Sequence, residues 1–148
     1  MQVWRISAFT GLSGIGGHHV DGRWHAMPRS VLYVAEHPAL AMVEVMAHMR
    51  LSVESIPTRL RIIRIEIGEG AVFSERPQLP QGWQANEITT RTLGNAWLDE
   101  GSALVLPVPS AVVPSSTNYL INPAHPQAAT HLRESSDEPF WFDARFLR

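Results

Sequence analysis

An α+β domain on a largely antiparallel sheet with flanking helices is the fold class that this sequence predicts. Three observations point to it. The chain has 148 residues, one domain's worth, enough to bury about 70% of its unfolded surface. Its apolar fraction of 45% and charged fraction of 18% lie in the globular range, which excludes wholesale disorder. Its short β-prone stretches are not regularly separated by crossover helices, so parallel winding is not indicated.

Residues 3–7 form a short β-prone start, and residues 11–22 read as a loop carrying five glycines and the adjacent His18 and His19. The apolar run 31–35 reads as a buried strand. Pro38 suits the first turn of a helix, which the strong helix formers of 39–51 continue. Apolar nearly all round, that helix is expected to be central. The 59–67 stretch alternates like a strand but changes phase at Ile62 and Ile63, and a bulge there would reconcile its halves. After a proline-rich loop at 75–83, residues 87–100 read as a helix carrying Leu93, Trp97 and Leu98 and stopped by Gly101. Residues 103–106, 111–113 and 118–121 read as short strands between prolines. In the tail, Phe140, Phe142, Ala144 and Phe146 fall on one face of an expected edge strand.

Composition limits function. Twelve basic against fourteen acidic residues give a net charge of −2, and every basic residue is arginine. That balance argues against broad nucleic-acid binding, yet a few arginines can still hold a phosphate bidentately. With no cysteine in the chain, disulfides, thiolate zinc sites and cysteine nucleophiles are excluded. The start Met1-Gln2-Val3-Trp4-Arg5 lacks the pattern of a signal peptide. Glu44 and His48 interrupt the most apolar helical stretch and prolines interrupt 102–114, so no membrane span is expected. A cytoplasmic protein is the expectation.

Few residues could carry chemistry. Gly14-Ile15-Gly16 would need a third glycine where His19 stands, and no Gly-Lys-Ser/Thr occurs, so both phosphate-loop signatures fail. The glycine stretch by itself reads as a mobile loop. His18, His19 and His25 lack a companion carboxylate cluster; they read as solvated, and no metal is expected. Glu44 lies among Ala41, Met42, Val43, Val45, Met46 and Ala47. A carboxylate there costs several kcal/mol unless it faces a solvent groove or is paired, as with His48 one turn on. The alternative is a catalytic carboxylate on a rigid element. Arg5 and Arg23 are either surface charges or a diphosphate clamp around the glycine loop. Tyr33, in an apolar run, is either core or part of the same site.

Taken in order, these features resemble a known family. Trp4-Arg5, the glycine pair followed by Gly22-Arg23-Trp24, Tyr33 and Glu44 match the start of RES-domain proteins. The second half is similar too, with Leu93-Gly94-Asn95-Ala96-Trp97-Leu98, Pro107-Val108-Pro109-Ser110 and Asn118-Tyr119-Leu120-Ile121-Asn122-Pro123-Ala124-His125-Pro126. The resemblance spans residues 3–126 and implies one RES domain over 1–148, with an ADP-ribosyltransferase-like fold. It implies a toxin of a bacterial toxin–antitoxin pair, with an Xre-type antitoxin as partner, nucleic acid met only through that antitoxin, and a homodimer as a further expectation.

The implied substrate is NAD⁺, with no bound cofactor. The nicotinamide–ribose bond would break, and ADP-ribose would pass to water, to phosphate as co-substrate, or to a protein side chain. Arg5 and Arg23 would hold the phosphates and riboses, Tyr33 would flank the nicotinamide, Glu44 would serve the reacting ribose and Ser110 would complete the pocket. Arg5 and Tyr33 would thus share the catalytic work with Glu44. One departure is Ser116, where many relatives carry an acidic residue, at the pocket rim or the antitoxin contact. The competing class is a non-enzymatic or RNA-directed binding module.

Overall fold

The computed structural model describes residues 1–49 and 57–147. Along the chain run β1 (Gln2–Ser7), β2 (Leu32–Ala35), α1 (Pro38–His48), β3 (Arg61–Ile67), α2 (Glu87–Glu100), β4 (Val105–Pro109), β5 (Thr117–Ile121), α3 (Ala128–His131) and β6 (Leu132–Pro139). Short 3-10 turns lie at Ile15–His18, Trp83–Ala85 and Ala144–Leu147. The strands form one sheet in the order β4-β5-β2-β1-β3-β6, each paired antiparallel to its neighbour. The expected mixed α+β class is thus the observed one. Among the described residues no helix is long and apolar enough to cross a membrane.

The pleat sorts side chains onto two faces. On one, Val3, Leu32, Val34, Ile63, Ile65 and Ile67 pack with Leu104, Val105 and Ile121. On the other, Ile6, Ala35 and Ile62 pack under Leu40 and Ala41 of α1, and Val31, Leu106, Val108 and Leu120 pack with Trp24 and Trp97 of α2. Both helices therefore cover the same face. This explains the phase change at Ile62 and Ile63: β3 is covered on both sides, so Leu60 and Ile62 serve one core and Ile63, Ile65 and Ile67 the other. The register from β1 to β3 runs unbroken. The irregularity falls later, between Arg64 and Ile65, where Ser135 of β6 is the extra residue. Its hydroxyl donates to the Arg64 carbonyl at 3.2 Å and accepts from Arg64 Nε at 2.9 Å.

Other expectations shift. Helix α1 begins at Pro38 behind His37, whose ring accepts the Ala39 N–H, and it ends at His48; residues 50 and 51 of the expected helix lie outside the described ones. It is less central than its composition suggests, with only Leu40 and Ala41 fully buried. Residues 111–113 are a turn, because the Ser110 hydroxyl accepts the N–H groups of Val112 (3.2 Å) and Val113 (2.9 Å). The edge strands are β4 and the polar β6, and the phenylalanine tail is not one of them. Phe140 and Phe142 instead meet edge-to-face at 5.2 Å and pack on the α1 side of the sheet.

Helix α2 is capped by Asn86, which accepts the Thr89 N–H, and closed by Gly101 in the left-handed region at φ 67°. Its approach to the preceding segment is unusually close: a Cβ on Gly94 would lie 1.6 Å from the Trp24 carbonyl oxygen. Gly94→Ala should therefore force the two backbones apart and cost about 1–3 kcal/mol or more. The measurement is the urea midpoint, and a parental midpoint would show that α2 can shift freely.

Candidate active site

Strand β1 has six register pairs with β3 but only one with β2, Trp4↔Ala35. The two central strands therefore splay, and a cavity of about 490 Å³ opens along the split, a size suited to a small-molecule site. Its wall includes Arg5, Arg23, Tyr33 and Glu44. Four of the five site residues expected from sequence thus line one space. Ser110, fully buried, lies behind Glu44 and is not on the wall.

Glu44 projects from α1 and is held by Ser110, just after β4, and by Asn118 of β5. Its Oε1 accepts the Ser110 hydroxyl at 2.5 Å and Asn118 Nδ2–H at 2.8 Å. Both donors are neutral, and both bonds go to the same oxygen. Among the described residues Oε2 has no protein partner, and the i,i+4 pairing with His48 is not made. Ser110 thus performs two tasks at once, orienting the carboxylate and closing the turn after β4.

Each arginine of the wall is anchored by carbonyls. Arg5 donates through Nη2 to Phe9 O at 2.8 Å and through Nη1 to Gly11 O at 3.3 Å. Burial pulls its guanidinium below the ordinary value, the nearby Glu134 partly countering, and it remains a cation at neutral pH. Arg23 donates to Gln84 O at 2.8 Å and lies 3.5 Å from Glu87. That glutamate is also paired with Arg91 at 2.9 Å.

The glycine stretch, expected to be mobile, is tied at several points: Val31 N–H donates to Gly14 O at 3.3 Å, Arg29 N–H to Gly17 O at 3.2 Å and Gly22 N–H to His25 O at 3.0 Å. It closes over Tyr33 and His25. The Tyr33 hydroxyl accepts Trp24 N–H at 3.1 Å and lies 2.6 Å from His25 Nδ1, while His25 Nε2 lies 3.1 Å from Gly17 O. Burial pushes the Tyr33 phenol well above its ordinary value, which keeps the hydroxyl neutral.

Sequence reasoning alone misses Asn118, and it places His25 among solvated loop histidines although His25 is 2% exposed and on the wall. Asn118 opens the 118–126 motif, and His25 follows Gly22-Arg23-Trp24 directly; those positions are the signals that could have found them. Among the described residues no group of three or more His, Cys, Asp or Glu could hold a metal ion.

Comparison with known proteins adds an independent line. A family model described as the RES domain matches residues 2–143. "Toxin Res" of Pseudomonas putida is 52% identical over 128 residues, covering 86% of this chain and 88% of that protein. "Prs ADP-ribosylating toxin" of a Sphingobium species is 32% identical over 143 residues, covering 93% and 87%. Among solved structures, the M. tuberculosis MbcT–MbcA toxin–antitoxin complex has a chain of similar fold, with a TM-score of 0.68 at 19% identity, over 95% of this chain and 84% of that one.

The cavity makes stability depend on pH through His25. Its pKa is lowered, first by burial and also by Arg29; the Gly17 and Val20 carbonyls and Asp21 oppose the shift. The unfolded chain, with an ordinary value of about 6.5, therefore takes up this proton before the folded protein does. The contribution is fully present above about pH 6.5 and is lost as pH falls from there to the lower folded value. His25→Asn, which cannot be protonated, should lose less melting temperature than the parent between about pH 7.5 and 5.5. Parallel losses in the two proteins would refute a buried neutral His25.

Proposed function

The chain belongs to the RES-domain family, and from that premise we propose that it is the toxin of a toxin–antitoxin pair and that it cleaves the nicotinamide–ribose bond of NAD⁺, depleting the nucleotide. The observation that carries this reading is how the wall charges are compensated. Among the described residues Arg5 is hydrogen-bonded by carbonyl dipoles, with Glu134 nearby but not paired to it, and Glu44 by two neutral donors. One cavity thus offers an incompletely neutralised cation and an incompletely neutralised anion. NAD⁺ has the complementary pattern, an anionic diphosphate and a cationic nicotinamide ribose.

The chemistry needs little else. Nicotinamide leaves as a neutral molecule with the electron pair of the broken bond, so no general acid is required. Positive charge develops on the ribose, as in glycoside hydrolysis. A carboxylate about 4 Å away at an effective dielectric of ~20 stabilises that cation by roughly 4 kcal/mol, about a thousandfold in rate. Water or phosphate then bonds to the anomeric carbon and gives up its proton to solvent. Tyr33 and the arginines would orient the nucleotide.

A second reading, ADP-ribosyl transfer to a protein, is favoured by the likeness to the Sphingobium ADP-ribosylating toxin. In either case a cognate antitoxin, of Xre type by resemblance, is the proposed silencing partner, and self-association as a dimer is part of the proposal. Incubating NAD⁺ with the protein, with and without phosphate or cell extract, separates the products: free ADP-ribose, its 1-phosphate, or protein-bound ADP-ribose. Intact NAD⁺ under all these conditions would overturn both enzymatic readings. An RNA affinity that falls steeply with salt would then favour the binding module.

Glu44→Gln tests the carboxylate directly. The amide keeps a carbonyl oxygen for Ser110 and Asn118 while removing the charge. Nicotinamide release should fall about a hundredfold to a thousandfold, with a melting temperature equal to the parent's or higher. A variant that cleaves NAD⁺ at the parental rate, or that melts far lower, would remove Glu44 from the mechanism.

A further inference from the structure

His25 is a buried titratable group on the cavity wall that the chemistry above leaves unused. Its two ring nitrogens have different partners, and the partners dictate its protonation. Gly17 O, 3.1 Å from Nε2, can only accept, so Nε2 carries a hydrogen. In the neutral ring Nδ1 is then an acceptor, and the Tyr33 hydroxyl at 2.6 Å donates to it. The same Tyr33 oxygen accepts Trp24 N–H at 3.1 Å. Tyr33 therefore turns its proton into the wall and has a lone pair left for the cavity.

The backbone is shaped around this pair. A Cβ on Gly22 would lie 2.3 Å from the Tyr33 oxygen and 2.8 Å from His25 Nδ1, and one on Gly17 would lie 3.2 Å from His25 Nε2. A side chain at either glycine would displace the pair. Protonating Nδ1 reverses the polarity of Tyr33. Its oxygen must then accept from both Nδ1–H and Trp24 N–H, and its own proton turns toward the cavity.

We propose that His25 is a positioning residue that sets the polarity of Tyr33 toward the substrate, an acceptor while the imidazole is neutral and a donor once it is protonated. This rests on the NAD⁺ reading in taking the nucleotide as what Tyr33 meets. Ribose hydroxyls and the carboxamide N–H donate to the acceptor form, and a cationic nicotinamide tolerates it. The protonated form presents the wrong polarity and adds an imidazolium behind it. The groups around the pair are Asp21, Arg29 and the Gly17 and Val20 carbonyls at His25, and Arg91 and Asp21 near Tyr33. Burial outweighs them at His25 and lowers its titration, so the acceptor form prevails at neutral pH.

The test compares the parent, His25→Asn and His25→Leu between about pH 5 and 8. The Asn amide oxygen takes the place of Nδ1 as an acceptor and cannot be protonated; Leu accepts nothing. The KM for NAD⁺ of the parent should rise about tenfold as His25 charges, with kcat changing less. His25→Asn should keep the neutral-pH KM and lose the acid rise, and His25→Leu should have a high KM throughout. Nitrogen-15 spectra of the parent's histidines should show the Nε2–H tautomer at neutral pH. An acid rise that persists in His25→Asn, a parental KM in His25→Leu, or an Nδ1–H tautomer would each overturn the proposal. If His25→Leu does not fold, the parent and His25→Asn profiles decide. If the parent releases no nicotinamide at any pH, the NAD⁺ reading fails separately, and the tautomer alone decides the polarity of Tyr33.

Discussion

The approach of α2 to residues 22–26 is the constraint on which the rest of the site depends. That segment is irregular, so its backbone groups have no ladder to satisfy them. The helix supplies partners in succession. Arg91 Nε donates to Gly22 O at 2.8 Å, the Thr90 hydroxyl donates to Arg23 O at 2.5 Å, and Asn95 Oδ1 accepts Ala26 N–H at 2.8 Å. Between them Gly94 leaves room for the Trp24 carbonyl. With Trp24 fixed in the core against Trp97, Leu106 and Leu120, its neighbours Arg23 and His25 are left to line the cavity. The Leu93-Gly94-Asn95-Ala96-Trp97-Leu98 motif is thus positional chemistry: it touches the site only through the segment it grips.

The second constraint is the splay of β1 from β2. Arg5 pairs with Ile63 and so stands on the Val3 face of the sheet, whereas Tyr33 pairs with Leu120 and Ala35 with Asn118 on the helix face. An unbroken sheet would keep these groups in separate compartments. Limiting the contact to Trp4↔Ala35 lets one cavity reach both faces, with the arginine on one and Glu44 above the other. Splay and grip cooperate, since the glycine loop that fills part of the split is the stretch leading into the segment α2 holds.

Much of the fold was legible in the sequence because periodicity and caps are local signals. Strand β2, the Pro38 start of α1, and α2 with its Gly101 stop needed no tertiary information. The structure departs from that reading where side-chain hydrogen bonding or an open edge, and not apolar periodicity, decides the outcome. Residues 111–113 are apolar and β-prone, but the Ser110 hydroxyl takes two of their amides into a turn. Among the described residues β6 pairs only with β3, and its Arg, Glu and Asp residues blunt the edge; such a strand has no apolar alternation to read. At the candidate site, the four residues that line the cavity, Arg5, Arg23, Tyr33 and Glu44, are legible by type and order. Asn118 and the burial of His25 are not, because each depends on a partner far away in sequence or on a loop closing overhead.

How the cavity is compensated limits what it can bind. A carboxylate paired with an arginine would gain little from a substrate cation, since the field would already be cancelled at short range. Among the described residues, Ser110 and Asn118 satisfy the geometry of Glu44 without cancelling its charge, and the Phe9 and Gly11 carbonyls orient Arg5 while the nearby Glu134 offsets its charge only in part. The apolar part of the wall, including Trp4, Val31, Val34 and Val45, keeps the local dielectric low once a ligand displaces water, and this strengthens both fields. A ligand of one sign would meet attraction at one end and repulsion at the other. On the proposed reading, such a wall would favour a molecule with separated opposite charges, its cationic end toward the carboxylate.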